Sequence, residues 1–265
     1  MGLDAYVYCN CIKEGKAAEL PFDWNFLKFE DGFYFLKREY QEQYAEQFIL
    51  WQETACEHED FYYINTRVAN VSGWNLLESI LNRLGKRYYP YLSTMGEKEI
   101  TPIEAQEALR ELNHFCTKMT DLDVDCIVDS QTGQNYRIVL EGEQVDFFYG
   151  GTEYTHSLNP TGFCITDSQE NVLFRSLTFK QEVKHLAESE RIKSIVTFTD
   201  MDTGKHFVSR SAFERLKNWE TREFYYPSEL KVVRRKLKTS DLICTSALRE
   251  LYKASILNNN SVYWS

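Results

Sequence analysis

Three segments in the second half of the chain share one pattern, which constrains the fold more than any other feature of the sequence. In each, a run of β-branched or aromatic residues ends in Asp, Gly or Asn follows four positions later, and a second β-rich run begins. The three pairs are Asp129 and Gly133, Asp167 and Asn171, and Asp200 and Gly204. An Asp side chain accepts hydrogen bonds from the backbone N–H groups just ahead of it, and Gly and Asn tolerate the positive φ of the bulge that closes such a hairpin. We therefore predict three antiparallel hairpins of one design.

Apolar residues at helical spacing predict helices at about 39–57, 73–84 and 241–257, and another that starts at Pro102 and carries its apolar stripe to Met119. This last helix has the clearest start signal, because Thr101-Pro102-Ile103-Glu104 has the form of a capping box with Pro at the first helical position. Residues 3–12 are typical of a strand. We therefore expect an α+β fold in which a mostly helical first half packs on an antiparallel β-meander sheet in the second half, with a C-terminal helix.

Two domain organisations are compatible with a length of 265 residues. One is a single compact domain, 1–265. The other is a mainly helical subdomain, 1–120, followed by a β-rich subdomain with the C-terminal helix, 121–265. Turns are also predicted at Asp31-Gly32 and at Gly150-Gly151.

Charge and composition argue against several classes of function. The formal net charge is -10, so phosphates would be repelled over most of the surface and nucleic-acid binding is not expected. The N-terminus lacks the basic and apolar regions of a signal peptide, and no apolar run approaches the ~18 residues that a membrane span needs. The seven scattered cysteines then favour reduced thiols in a cytoplasmic protein without a membrane association.

One short segment departs from this acidity. Residues 231–265 carry 7 basic and 2 acidic groups, a net charge of +5, whereas residues 1–230 carry 23 basic and 38 acidic groups, a net charge of -15. The basic residues concentrate in one run, which consists of Lys231, Arg234, Arg235, Lys236 and Lys238. Such a run is typical of an edge strand or a solvated helix start that acidic surface attracts, and the alternative is a basic site for a phosphate or an acidic partner.

Two short cysteine motifs form a candidate metal site. Cys9-Asn10-Cys11 and Cys56-Glu57-His58 together supply three thiols and one imidazole, and zinc favours four such ligands in a tetrahedron. The four groups can converge if the N-terminal strand passes the end of the first helix. Their spacing is shorter than the roughly two to four intervening residues of most structural zinc pairs. The alternative is therefore that the cysteines are buried reduced thiols and that His58 is a surface histidine.

The strand-like run that ends in Asp200-Met-Asp202 resembles the first motif of haloacid-dehalogenase-type phosphotransferases, in which one Asp is the nucleophile and the next is a general acid. In that family the motif lies between a parallel strand and a helix, whereas here another β run follows at once. The segment also matches two hairpins in the same chain that lack the second Asp. We therefore interpret Asp200 and Asp202 as part of a turn.

Two further groups of polar residues have simpler explanations. Asp121, Asp123 and Asp125 alternate with apolar residues, so on a strand their carboxylates share one face, either as a site for a divalent cation or as a solvated surface. His114 and Cys116 repeat the two-residue spacing inside a predicted helix, where that spacing points side chains apart. Neither group predicts a site by itself.

Catalytic motifs such as the Gly-x-Ser-x-Gly elbow, His-Glu-x-x-His and Gly-rich phosphate loops are not found in the sequence. With the acidity and an aromatic content of 15%, this favours a binding protein over an enzyme. The first hypothesis is a soluble acidic interaction protein that neutralises a basic protein partner such as a toxin. Candidate tyrosine anchors are Tyr62, Tyr63, Tyr88, Tyr89, Tyr91, Tyr225 and Tyr226. The alternative is a zinc-dependent enzyme or a zinc-stabilised domain built on Cys9, Cys11, Cys56 and His58.

Overall fold

The predicted helices and hairpins form, but strands occur in both halves of the chain. The computed structural model describes residues 2–30, 33–149, 153–185 and 194–265. The strands are β1 (Gly2–Tyr8), β2 (Leu27–Glu30), β3 (Phe33–Leu36), β4 (Tyr62–Asn70), β5 (Asp123–Asp129), β6 (Asn135–Leu140), β7 (Val145–Tyr149), β8 (Tyr154–Asn159), β9 (Gly162–Asp167), β10 (Val172–Ser176), β11 (Thr178–His185), β12 (Ser194–Asp200), β13 (His206–Ser209), β14 (Arg215–Asn218), β15 (Glu223–Tyr225), β16 (Glu229–Lys236) and β17 (Val262–Trp264). The helices are α1 (Gln41–Thr54), α2 (Val71–Leu84), α3 (Pro90–Ser93), α4 (Pro102–Met119) and α5 (Ile243–Asn258). The turns predicted at Asp31-Gly32 and Gly150-Gly151 lie outside the described residues.

The protein has a mixed α and β fold with several antiparallel sheets and a C-terminal helix, as predicted. The expectation of a mostly helical first half is wrong. A three-stranded sheet of order β17-β1-β4 and the β2–β3 hairpin use residues of this half. The longest of these strands, β4, begins at Tyr62. Its exposure alternates along Tyr62–Arg67, which is the period of a strand with one buried face and explains why this segment extends.

The chain forms two compact units. Unit 1 contains residues 1–119 and 238–265, and unit 2 contains residues 120–237. The helix α5 belongs to unit 1, where it packs against α4 and β4. The choice between one domain and two subdomains stays a prediction.

In unit 2, two sheets pack on each other. One sheet has the order β13-β12-β11-β16-β5-β6 and the other the order β10-β9-β8-β7, and all of their pairings are antiparallel. Phe163 of the smaller sheet packs on Phe179 and Phe198 of the larger one, with ring centroids 4.6 and 5.2 Å apart. The expectation of a single meander sheet is therefore wrong, because large aromatic side chains fill the space between two sheets.

Two of the three predicted hairpin turns share one set of hydrogen bonds. In the β5–β6 turn, the hydroxyl of Thr132 donates to the Asp129 carboxylate at 2.8 Å. In the β12–β13 turn, the backbone N–H and hydroxyl of Thr203 donate to the Asp200 carboxylate at 2.7 and 2.5 Å. The Asp residue thus starts each turn in the way that the sequence predicts.

The residue that closes the turn differs between the hairpins. Gly133 and Gly204 have φ angles of 72° and 71°, as predicted for a left-handed closing position. In the β9–β10 turn the positive φ, 63°, falls on Glu170 and not on Asn171. Asn171 instead donates to the Asp167 carboxylate from its backbone and its side chain, at 2.8 and 2.9 Å. The second hairpin therefore has a different design from the other two.

The ends of the helices follow the local signals closely. The backbone N–H of Thr101 donates to Glu104 Oε2 at 3.0 Å and the backbone N–H of Glu104 donates to Thr101 Oγ1 at 3.3 Å, so the predicted capping box starts α4. Gly85 has a φ of 91° after α2, as expected of a residue that ends a helix. No helix in the described part of the chain combines the length and the apolar character that a membrane crossing requires.

The buried residues of a small apolar cluster in unit 1 lie between positions 9 and 61, and Tyr8 packs against them. The helix α1 supplies Phe48 and Trp51 to this cluster, and the β2–β3 hairpin supplies Leu27 and Leu36. The indole N–H of Trp51 also donates to the backbone oxygen of Ala18 at 2.9 Å. Segment 9–61 thus surrounds a core of its own, and Cys9 and Cys11 are part of it.

Candidate metal centre

The two cysteine motifs lie where two regular elements end. The strand β1 ends at Tyr8, so Cys9 and Cys11 lie in the loop that follows it. The helix α1 ends at Thr54, and Cys56 and His58 lie in the next turn. A backbone hydrogen bond of 2.8 Å from the Cys9 N–H to the Phe61 oxygen joins the two loops. The predicted passage of the strand by the end of the helix therefore brings the two motifs together.

The four donor atoms converge on one point. The ligand atoms of Cys9, Cys11, Cys56 and His58 all lie within 4.8 Å of one another. The Sγ atoms of Cys9 and Cys56 are 3.9 Å apart, and the Nδ1 atom of His58 is 3.5 Å from Cys11 Sγ and 3.9 Å from Cys56 Sγ. Tetrahedral zinc with Zn–S near 2.3 Å and Zn–N near 2.05 Å requires S···S of about 3.8 Å and S···N of about 3.6 Å. The observed spacings match this geometry closely enough that the cluster can hold a metal ion such as zinc.

The short spacing of both motifs has a structural reason. The backbone N–H of His58 donates to Cys56 Sγ at 3.4 Å, and the backbone N–H of Cys11 makes the equivalent hydrogen bond to Cys9. In each motif the second ligand residue therefore folds back over the sulfur of the first. Such N–H···S contacts stabilise a thiolate and fix its orientation. A single intervening residue is thus compatible with two ligands of one ion.

Burial makes the uncoordinated thiols weak acids. The exposed fraction is 9% for Cys9 and 6% for Cys11. Burial raises the pKa of the Cys9 thiol to about 12, although the backbone N–H of Cys11 acts in the opposite direction, and burial also raises the pKa of Cys11. A bound cation reverses this effect, because a thiol that coordinates a metal is deprotonated.

The chain beside His58 is strained. Asp60 and Phe61 are consecutive residues with φ angles of 50° and 62°, a region that Asp occupies occasionally but that a bulky residue such as Phe seldom occupies. Phe61 is held there by packing, because it is 5% exposed and its ring lies 4.9 Å from that of Trp51. Strain of this kind persists only where the surrounding structure fixes it, and it is concentrated at functional sites. The sequence analysis did not predict this feature.

The other acidic candidates are occupied by contacts within the protein. Asp200 is part of the hairpin turn described above, so the resemblance of the Asp200 and Asp202 segment to a phosphotransferase motif does not extend to its structure. Arg234 binds Asp125 through two hydrogen bonds of 2.9 and 3.1 Å, and Lys236 pairs with Asp123 at 2.9 Å. Two residues of the basic run thus pair with two residues of the aspartate triad across β16 and β5. The strand β16 is not an edge strand, because it pairs with β11 and with β5.

The remaining candidates have structural roles among the described residues. His114 stacks on Tyr89 with ring centroids 5.7 Å apart, and Cys116 lies 3.8 Å from an Arg249 nitrogen. Tyr225 donates to the Asp129 carboxylate at 2.8 Å. Of the predicted tyrosine anchors, Tyr88 is the most exposed, at 60%.

Comparisons of the chain with models of protein families, with curated proteins and with solved structures found no match. The candidate metal centre therefore stands on its own geometry.

Proposed function

We propose that this protein binds one zinc ion through Cys9, Cys11, Cys56 and His58, and that the ion has a structural role. The observation that carries the proposal is the convergence of three thiols and one imidazole within 4.8 Å of one another. Thiolate and imidazole ligands favour zinc over magnesium, calcium and manganese, which prefer oxygen ligands. With three thiolates and a neutral His58, the loaded centre has a net charge of about -1.

A set of four protein ligands supports a structural rather than a catalytic ion. Catalytic zinc usually has three protein ligands and an open position for water, whereas structural sites are closed by four. The location also suits a structural role. Cys9 and Cys56 are 47 positions apart, as are Cys11 and His58, so one ion would join the start of segment 9–61 to its end. Closing a loop of this length restricts the unfolded chain, and the small core of the segment would benefit from that restriction.

Metal analysis of the purified full chain tests this proposal. We expect about one equivalent of zinc per chain by plasma mass spectrometry, and the intense visible absorption of a tetrahedral thiolate site after exchange into cobalt. The variants Cys56→Ser and His58→Ala should lose the metal. Less than about a tenth of an equivalent in the wild type, together with a cobalt spectrum typical of an octahedral site, would contradict the proposal.

The chain offers matched controls for both substitutions. Cys116→Ser and His114→Ala change the same residue types in the same unit, outside the cluster. Both variants should retain one equivalent of zinc. If they lost the metal to the same extent as Cys56→Ser and His58→Ala, the loss would reflect general unfolding. The cobalt spectrum of the wild type would then decide whether the metal is held by a tetrahedral thiolate site.

The interaction with a basic protein partner such as a toxin stays a prediction, as does a cytoplasmic location. The interaction with a basic partner is motivated by the net charge of -10 and the aromatic content of 15%. Affinity purification from the native host that returned no stoichiometric partner would count against it.

A further inference from the structure

A pocket of about 190 Å³ opens beside the candidate metal centre in unit 1. Tyr8 and Tyr263 line it from the strands β1 and β17, and Phe29 and Tyr34 line it from the β2–β3 hairpin. Phe61, from the strained loop after His58, also contributes to its lining. Five aromatic residues from four parts of the chain therefore line this space.

The size of the pocket limits what it can hold. An engineered apolar cavity of about 150 Å³ is large enough to bind benzene. A pocket of about 190 Å³ accordingly accepts a ring system of one or two fused aromatic rings, but not a drug-sized ligand. Aromatic walls favour a planar aromatic guest, because rings gain from stacked and edge-to-face contacts beyond simple burial.

A cation, the exposed Lys13, lines the same pocket. The Nζ atom of Lys13 donates to Asn260 Oδ1 at 2.5 Å. Asn260 is 8% exposed. Its Nδ2 donates to the backbone oxygen of Tyr8 at 2.8 Å and to Asn10 Oδ1 at 2.9 Å, so Asn260 is fixed and holds the lysine in place. Among the residues that the structure describes, Lys13 forms no ion pair with a carboxylate. An ammonium has three donors, and this one keeps donors for a ligand.

The second charged group of the pocket sets the charge of that ligand. Asp60 also lines the pocket, and its carboxylate would repel a ligand with more than one negative charge. A single carboxylate that reaches Lys13 satisfies the cation without a second charge near Asp60. The chain as a whole is acidic, so attraction of an anion must come from a local group, and Lys13 is the group that supplies it.

We propose that this pocket is a binding site for an aromatic monocarboxylate of one or two rings, with the ring between Tyr8, Tyr34 and Phe29 and the carboxylate on Lys13. The site is distinct from the four metal ligands, except that Cys9 contributes to one wall. The proposal does not depend on the identity of the metal.

Titration of the full chain, in its metal-loaded state as purified, with 2-naphthoate and with neutral 2-naphthamide tests the proposal. We expect saturable 1:1 binding of naphthoate by calorimetry, with shifts of the Tyr8, Tyr34 and Phe29 ring signals in NMR spectra. Lys13→Met should weaken naphthoate at least tenfold and leave naphthamide unchanged, because only the anion uses the charged hydrogen bond. Phe29→Ala should weaken both probes to the same degree, and Phe29 is 61% exposed, so its removal leaves the core intact.

Lys16→Met is the matched control, because Lys16 lies three positions away and pairs with Glu14 at the surface. Its affinity for naphthoate should equal that of the wild type. The proposal is wrong if naphthoate shows no saturable binding up to about 10 mM, or if Lys13→Met and Lys16→Met change its affinity equally. The zinc content of each protein is measured in parallel, so a failure of the metal centre is recognised separately from a failure of this pocket.

Discussion

Two groups of candidate functional side chains, one in each unit, differ in where their polar atoms find partners. In unit 2 the carboxylate of Asp200 accepts hydrogen bonds from Thr203, and that of Asp129 from Thr132 and Tyr225. These carboxylates accept hydrogen bonds from other residues of the same unit. In unit 1 the thiols and the imidazole of the Cys9, Cys11, Cys56 and His58 cluster face one another.

This difference in hydrogen bonding distinguishes a structural turn from a ligand-binding site. A carboxylate whose lone pairs are used by nearby N–H and O–H groups stabilises the backbone and has little capacity left for a ligand. Donor atoms that approach one another without strong mutual hydrogen bonds have their lone pairs directed toward a common point, which suits a cation. The carboxylates of the aspartate turns therefore already have hydrogen-bond partners, whereas the cysteine cluster gains most in stability from an added ion.

The largest expected effect is that of removing the metal. Chelation should abolish the protection of backbone amides in 9–18 and 55–61 against hydrogen exchange, and leave the amides of the β5–β6 hairpin unchanged. Binding free energies of structural zinc reach about 10–16 kcal/mol in small peptides, so this loss should exceed that of any substitution below. Exchange measured by mass spectrometry with and without chelator checks the prediction. An equal loss of protection in β5–β6 would show that the ion does not act locally.

Local structure could be predicted from the sequence to a large extent. The capping box at Thr101 and the turns at Asp129 and Asp200 depend on hydrogen bonds within five residues, and these formed as predicted. The way in which unit 2 buries its sheets was not predictable in the same way. Phe163 and Phe179 read as strand residues in isolation, and nothing local indicates that their rings face each other across two sheets.

The four residues of the candidate metal centre were predicted from the sequence, and their convergence was expected only on the condition that the N-terminal strand passes the end of the first helix. The sequence contained one useful signal, since Cys9 to Cys56 and Cys11 to His58 have the same separation of 47 positions. The N–H···S contacts that make a single intervening residue suitable depend on loop conformation. The positive φ angle of Phe61 is held by tertiary packing, so no propensity argument could find it.

The next largest effect is expected for the turns in which an Asp carboxylate accepts hydrogen bonds from neighbouring residues. Asp129→Ala should lower the free energy of unfolding by about 2 kcal/mol, because Asp129 is only 1% exposed and the hydroxyls of Thr132 and Tyr225 then lose their acceptor. Urea denaturation at pH 7 measures this change. Asp167→Ala is the control, and it should have a smaller effect because that turn is exposed. A loss at Asp167 equal to that at Asp129 would contradict the role of burial.

The carboxylate of Asp129 should also make the free energy of unfolding depend on pH. Burial by itself would raise the pKa of Asp129, but hydrogen bonds from Gln131, Thr132 and Tyr225 outweigh it and lower the pKa below its usual 3.8. A carboxyl whose pKa is lower in the folded state contributes its full stability above the pKa of the unfolded chain and loses it as the pH falls further. The difference in unfolding free energy between wild type and Asp129→Ala should therefore narrow below about pH 4. A difference that stayed constant down to pH 2 would exclude this linkage.

The closing residues of the hairpins should give effects of about 1 kcal/mol. Gly204 has a φ of 71°, and no atom lies within 4 Å of the position that a Cβ would take. Gly204→Ala should therefore cost about 1 kcal/mol through the backbone alone. Gly133→Ala should cost the same, because Gly133 has an equally open surrounding and a φ of 72°. Thermal denaturation of both variants checks this, and a clear difference between them would show that the two turns are not equivalent.

The smallest effect has the opposite sign and tests the hairpin that departs from the shared design. Glu170 has a φ of 63°, so Glu170→Gly removes left-handed strain of roughly 1–2 kcal/mol but adds about 0.4–1 kcal/mol of freedom to the unfolded chain. We expect a net gain in stability of about 0.5 kcal/mol, measured by denaturation. Glu170→Ala keeps the Cβ and should leave stability nearly unchanged. If Glu170→Gly destabilised the protein while Asn171→Gly stabilised it, the closing position would lie at Asn171, and the three turns would share one design after all.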